Sequence, residues 1–283
     1  MNRRSFLKRS IGSLLALIGI GGGTYYYARD IEPRMLQVQN VKIMDASIPA
    51  SFNDFKVVQF SDTHIGFHYS VEQLQKLVNR INEENPDLIV FTGDLVDEPH
   101  LYTWNNDLIN VLQSLEAPRG KFWIYGNHDH GGYGTEKVRD VMEASGFTLL
   151  QNEHSVIEQN NERIILSGID DVMLGSPNLR QALENVNPDL FTLLLAHEPD
   201  FVDVAVDYSV NVQLSGHSHG GQVRLPFIGH LYTPKYAEKY VEGKYLLNDG
   251  NLQLFVNRGI GTTRLPYRFL CKPELHVYTL HKE

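Results

Sequence analysis

The chain has 283 residues, 42% of them hydrophobic and 21% charged, the composition of a folded domain rather than of a disordered or fibrous chain. Its 25 Lys and Arg against 34 Asp and Glu leave a net charge of -9, so it lacks the basic footprint of a general nucleic-acid binder. The single cysteine, Cys271, excludes an intramolecular disulfide framework and reads as a small buried apolar residue.

The first 28 residues stand apart from the rest. Arg3, Arg4, Lys8 and Arg9 precede an uncharged stretch from Ser10 to Ala28, which is the layout of an export signal. The opening NRRSFLKRS resembles a twin-arginine (Tat) leader. Residues 1–28 are therefore expected to be a Tat signal or a retained N-terminal anchor, since TYYYARD is a poor cleavage site. Residues 29–283 are expected to form one domain, a monomer carried by the Tat export machinery to the cell envelope, either the cell wall or the extracytoplasmic membrane face.

Strands and helices then alternate. Residues 35–44 alternate as a first strand, and 55–62 (FKVVQFSD) read as a strand buried on both faces. Ser70 and Gln73 form a capping box for a helix with Leu74, Leu77, Val78 and Ile81 on one face. A second buried strand follows at 87–94. A helix through Trp104, Leu108, Leu112 and Leu115 precedes a strand at 121–129. Thr135 is the expected cap of a third helix ending before Gly146. Asn160-Asn161 joins a hairpin, and Ser176-Pro177 reads as the start of a helix running through Leu179, Ala182, Leu183 and Val186. Strands at 191–199 and 210–219, an Asp-Gly hairpin at 245–257 and a last strand at 274–280 complete the chain. The pattern predicts an α/β layered domain with mixed sheets.

Five of these strands stop at the same kind of residue: SDTH (61–64), TGD (92–94), YGNHD (125–129), LAHEP (195–199) and SGHSH (215–219). In α/β folds the loops leaving the carboxyl ends of strands converge, so these residues can share one point in space. Any one cluster alone reads as a turn cap or a structural histidine. Five together bury more polar surface than a protein tolerates without a metal. Imidazole, carboxylate and amide oxygen without thiolate suit Mn, Fe or Zn. Seven candidate ligands are too many for one tetrahedral ion and fit two ions sharing a carboxylate.

The order D-x-H, G-D, G-N-H-D, H, G-H-x-H resembles the calcineurin-like metallophosphoesterases over residues 55–225. That resemblance implies a four-layer sandwich of two mixed β-sheets flanked by helices. It implies that Asp62, His64 and His219 hold one metal, that Asn127, His197 and His217 hold the other, and that Asp94 bridges them. His128 would assist the leaving group, and Asp129 would orient His128 by accepting from its ring. GHSHGGQVRLP and NRGIGTTRLPYRF look like a bacterial, Tat-exported phosphodiesterase branch similar to UDP-diacylglucosamine hydrolases. Arg224, Arg258, Arg264 and Arg268 are candidates for a second phosphate, Arg264 first, and Tyr133 for stacking on substrate. His130 and His230 receive no role; His68, His100, His154 and His276 look incidental. The expected function is hydrolysis of a phosphate ester or pyrophosphate of an envelope lipid, polymer or nucleotide by metal-hydroxide attack. The rival is a metal-stabilised, non-catalytic envelope-binding or scaffold protein.

Overall fold

The structure, a computed structural model, describes residues 19, 21–131 and 134–283. The twin-arginine motif at Arg3-Arg4 and the candidate Tyr133 lie outside the described residues. In chain order the strands are β1 (Gln37–Asp45), β2 (Lys56–Phe60), β3 (Leu88–Phe91), β4 (Lys121–Trp123), β5 (Phe147–Leu149), β6 (Glu153–Gln159), β7 (Glu162–Gly168), β8 (Thr192–Leu195), β9 (Val212–Ser215), β10 (Arg224–Leu225), β11 (Gly229–His230), β12 (Gly243–Leu247), β13 (Leu252–Val256) and β14 (Glu274–Lys282). The helices are α1 (Val71–Glu83), α2 (Asn106–Gln113), α3 (Asn127–His130), α4 (Thr135–Ala144), α5 (Leu179–Ala182) and α6 (Val202–Ala205).

Two six-stranded sheets result, in the orders β1-β14-β2-β3-β4-β5 and β12-β13-β9-β8-β7-β6. Both are mixed: β14 lies antiparallel to β2 and parallel to β1, while β12 and β6 are the antiparallel edges of the second sheet. Apolar residues explain the layering. Along β2, Val57 faces the second sheet and Val58 and Phe60 face the helices, so both faces are buried. Between the sheets, Leu88, Val90 and Phe122 meet Leu166, Leu193, Leu214 and Phe255. The outer face of the first sheet is covered by α1, α2 and α4, through residues such as Leu74, Leu112 and Met142. The outer face of the second packs on α5 and α6 through Leu179 and Val202. This is the four-layer sandwich expected.

Several local expectations shift. The Ser70–Gln73 box is reciprocal, as expected. Thr135, however, is the first helical residue of α4, after a Gly134 cap that lends no side chain. Helix α5 starts at Leu179, because Asn178 rather than Ser176 accepts from the Gln181 nitrogen. Strand β2 stops at Phe60, two residues early, because Asp62 turns into left-handed backbone (φ 53°). No helix among the described residues is long and apolar enough to cross a membrane.

Candidate dinuclear metal centre

All five strand ends open on one side of the sandwich, and the gap between β2, β3, β4 of one sheet and β8, β9 of the other is where their side chains meet. Asp62, His64 and His219 form one group of donor atoms within 4.8 Å of one another, and Asp94, His197 and His217 form a second. His64 Nε2 lies 3.1 Å from His219 Nε2, and His219 Nε2 lies 3.5 Å from Asp62 Oδ1. In the second group, His197 Nε2 is 3.2 Å from His217 Nδ1 and 3.3 Å from Asp94 Oδ2. The same Asp94 oxygen is 3.5 Å from His64 Nε2, so it faces both groups.

Hydrogen bonds outside the centre orient the rings. A carbonyl can only accept, so His197 Nδ1 donates to Thr92 O at 2.6 Å and presents the Nε2 lone pair inward. His217 is turned the other way: Nε2 donates to Lys235 O at 2.9 Å and Nδ1 points in. With both rings neutral, two lone pairs face each other at 3.2 Å, an arrangement that a cation between them relieves. Asn127 Oδ1 is buried with no hydrogen-bond partner among the described residues. Converging lone pairs, two carboxylates and an orphaned amide oxygen fit divalent cations and nothing the chain itself supplies.

The electrostatics agree. Burial lowers His217 to about 3, with His197 adding to the effect, and burial, His64 and Arg268 hold His219 well below the usual imidazole range. Both are held as the neutral donors that metal ligation requires. Burial opposes charge on His197, yet Asp94 and Asp62 raise it well above the usual range. A field that favours imidazolium there favours a metal cation equally. Burial alone would raise the Asp94 carboxyl; His197 and His128 outweigh it and keep it ionised.

Backbone geometry is part of the construction. Asp62, His64, Asp94, His217 and His219 all have φ between 43° and 67°, a region that residues other than glycine rarely enter. Each strand ends by curling its last polar side chain inward. Two glycines make room: a Cβ on Gly93 would come within 2.6 Å of the Gly126 nitrogen, and one on Gly126 within 2.8 Å of His197 Cε1.

One expected role is overturned. Asp129 does not accept from the His128 ring. Its carboxylate takes the backbone N–H groups of Asp94 (2.8 Å), Leu95 (3.0 Å) and Gly126 (2.9 Å). Burial and the Asp94 charge push it up to about 7, against the pull of those donors. The reason is helical geometry. His128 and Asp129 are consecutive in α3, and consecutive helical residues do not face each other. Asp129 instead clamps the β3 and β4 loops together.

The partner of His128 is Asp97, which sequence reasoning missed. His128 Nδ1 donates to Asp97 O at 2.6 Å, and the Asp97 carboxylate lies 2.9 Å from His64 Nδ1 and accepts from Thr263 Oγ1 at 3.0 Å. The His64 contact is poorly aligned as a hydrogen bond and acts as a close charge–dipole approach. The only hint in the sequence is an acid three residues after Asp94. His128 also donates its backbone N–H to Asp94 Oδ1 at 2.8 Å.

The arginines divide. Arg268 is fully buried and donates to the carbonyls of Gly261, Arg258, Gly259 and Cys271, with Nη2 3.4 Å from His219 Nδ1. Arg258 pairs with Glu274, and Arg224 with Glu242. Only Arg264 reaches the cleft of about 520 Å³ that holds Asp94, Asn127, His128, His217 and His219, where it donates to Tyr232 Oη at 2.6 Å. His130 is turned away from the centre, 2.7 Å from Asp170. His276 is not incidental: it is buried between Glu274 (3.2 Å) and Tyr278 Oη (2.5 Å), and Tyr278 donates on to Gln59.

Comparison with known proteins agrees with this geometry. A calcineurin-like phosphoesterase family model matches residues 55–221. The chain is 47% identical over 281 residues to the uncharacterized metallophosphoesterase YkuE of Bacillus subtilis, covering 99% of this chain and 98% of that one. It is 29% identical to the phosphodiesterase YaeI of Escherichia coli, covering 99% of both. It is 27% identical to the UDP-2,3-diacylglucosamine pyrophosphatase LpxG of Chlamydia muridarum, covering 94% of this chain and 95% of that one. The candidate centre lies on the matched segment, and the chain belongs to the calcineurin-like phosphoesterase family, as a hydrolase of phosphoric esters.

Proposed function

We propose that this hydrolase is an exported phosphodiesterase, working on two divalent ions (Mn, Fe or Zn), that cleaves a phosphodiester or pyrophosphate of an envelope lipid, polymer or nucleotide. The carrying observation is the pair of three-residue donor groups, with Asp94 of one facing both, beside a buried Asn127 Oδ1 that has no partner among the described residues. The relatives named for phosphodiesterase and pyrophosphatase activity support the substrate class. The leader pattern of residues 1–28 supports export.

Asp62, His64 and His219 would hold one ion, Asn127, His197 and His217 the other, and Asp94 both. Ions bound there would acidify a water and stabilise charge on the phosphoryl oxygens. The chain does the rest. Asp97 O fixes the proton of His128 on Nδ1, so Nε2 is the atom free to carry a second proton. The His128 side chain is 25% exposed at the cleft wall, where that proton can pass to the departing oxygen. Arg264 and Lys235 line the same cleft and would bind a further negative group on the substrate.

The test is turnover of bis-p-nitrophenyl phosphate with Mn²⁺, with and without chelator. Chelator-sensitive turnover is expected, together with a 10²- to 10⁴-fold loss in His128→Ala at unchanged metal content. Full rates in both Asp94→Asn and His128→Ala would overturn the reading.

A further inference from the structure

The rim of the cleft carries a surface that neither the metal centre nor the core uses. At the tip of the β10–β11 hairpin Phe227 is 110% exposed and Ile228 70%. Leu231, Tyr232 and Leu265, around the cleft mouth, are each more than half exposed, at 57%, 55% and 55%. Single exposed apolar residues are ordinary on a soluble protein. These are not scattered. Among the described residues, nine of the sixteen exposed large apolar side chains fall in three short segments, 25–31, 227–232 and 265–270.

The three segments are one surface. Gln222 Nε2, at the base of the hairpin, donates to the carbonyls of Thr263 (3.1 Å) and Leu265 (3.0 Å), and the Phe269 nitrogen donates back to Gln222 O at 3.0 Å. On the far side, the Tyr25 ring lies 5.5 Å from Tyr267, and the Arg268 nitrogen donates to Ala28 O at 2.9 Å. The hairpin itself belongs to neither sheet. Phe227 also sits at φ 68°, an expensive conformation for a bulky aromatic that packs on nothing.

We propose that this surface docks on a phospholipid bilayer, with Phe227 and Ile228 entering the acyl region and the cleft mouth held at the lipid headgroups. What identifies the partner is where the rest of the chain enters. The uncharged stretch from Ser10 to Ala28 runs into this same edge, at Tyr25 and Tyr26. The described start of the chain, from Tyr25 to Ala28, and the apolar hairpin tip therefore share one side of the molecule. Tyrosines at such a border suit the water–lipid interface, with the ring in the apolar zone and the hydroxyl wet. The chain as a whole carries a net charge of -9, which opposes general attraction to anionic lipid, so the exposed apolar side chains carry the contact and salt leaves it in place. The inference goes beyond the phosphodiesterase reading, because it concerns where the cleft sits and not which bond breaks.

The leader could hold the protein on vesicles by itself, so the experiment must report on the tip. In the full chain, Phe227→Trp is mixed with phosphatidylcholine–phosphatidylglycerol vesicles, with or without brominated acyl chains. Leu246→Trp, on exposed β12, is the control. The indole introduced at the hairpin tip is expected to shift its emission to the blue, to be quenched at least twofold by the brominated lipid, and to be unchanged in high salt. The indole introduced on β12 should be unaffected by lipid. Unshifted emission from the tip indole on vesicles that carry the chain, or no association at all, overturns the proposal. So does a blue shift in lipid-free solution with sedimentation as a dimer, which would assign the surface to a second copy. Phe227→Asp should keep full turnover of bis-p-nitrophenyl phosphate. A wild-type chain inactive on that diester would count against the phosphodiesterase reading and leave the fluorescence result standing.

Discussion

Gly126→Ala puts the proposed centre to its most direct test. Gly126 sits between β4 and α3, with extended backbone that alanine can adopt (φ -109°, ψ 177°), so the substitution is not strained in itself. The obstacle is space. The added Cβ would overlap Asp94 Oδ1 and come within 2.8 Å of the Asp94 nitrogen and of His197 Cε1. Carbon atoms rest about 3.5 Å apart, so one side must yield by roughly 0.7 Å. If Asp94 and His197 move, two candidate ligands leave their places. If the β4–α3 loop moves outward, it takes Asn127 and His128 with it. Either way the reacting groups are misplaced by most of an ångström, which costs about 10²-fold in rate. The overpacking itself costs about 1–3 kcal/mol, so the protein still folds. Gly131→Ala, at the other end of α3, is the control: its Cβ meets nothing closer than 3.4 Å. The assay is Mn²⁺-dependent diester turnover beside metal content and a thermal melt. A folded Gly126→Ala protein with two metals and wild-type turnover would refute the argument.

Three further outcomes are expected. Asp97→Ala should weaken metal binding or turnover about 10- to 100-fold by releasing His64, and Asp97→Asn should lose less; Mn²⁺ titration of activity separates them. Arg264→Ala should raise the diester KM about tenfold with little change in kcat, since a charge-assisted bond to substrate is worth about 1.5 kcal/mol. Glu274 contributes to acid stability. Burial would raise its pKa, but His276 and Arg258 hold it at about 2, below the unfolded value of 4.5. Its contribution, on the order of 3 kcal/mol, is therefore complete above pH 4.5 and disappears as pH falls toward about 2. Glu274→Gln should melt lower at neutral pH and lose less than wild type on acidification; parallel melting curves from pH 7 to pH 2.5 would contradict this.

Much of the centre could be read from the chain because its geometry depends on a simple rule: apolar strands that stop at a polar residue. Asp62, His64, Asp94, Asn127, His197, His217 and His219 all follow that rule, and the structure brings their side chains together. What escaped was direction. The family resemblance makes Asp129 the partner of His128, but the two are consecutive in α3, and consecutive helical residues point to different faces. Asp97 has no local signal, because its role depends on the approach of His64 and Thr263 from other loops. The left-handed backbone at five donor positions uses residue types that enter that region more readily than most, but Asp and His are far commoner outside it, so residue type alone does not reveal it. His276 seemed idle because its partners, Glu274 and Tyr278, share its own strand at period two and say nothing of the buried Gln59 beyond.

The position of β14 has a consequence for how the protein is made. It lies between β1 and β2, and among the described residues β1 pairs with no other strand. Gln37 of β1 is registered with Glu274 of β14, so the contact that completes this edge of the sheet joins segments far apart in sequence. Until residues 274–282 have been synthesised, β1 lacks that neighbour and one edge of β2 stays open. Contacts of such long range close slowly, because the loop entropy is lost before the pairing rewards it. Deleting the nine residues of β14 would therefore cost far more than nine residues, because it leaves β1 with nothing to join.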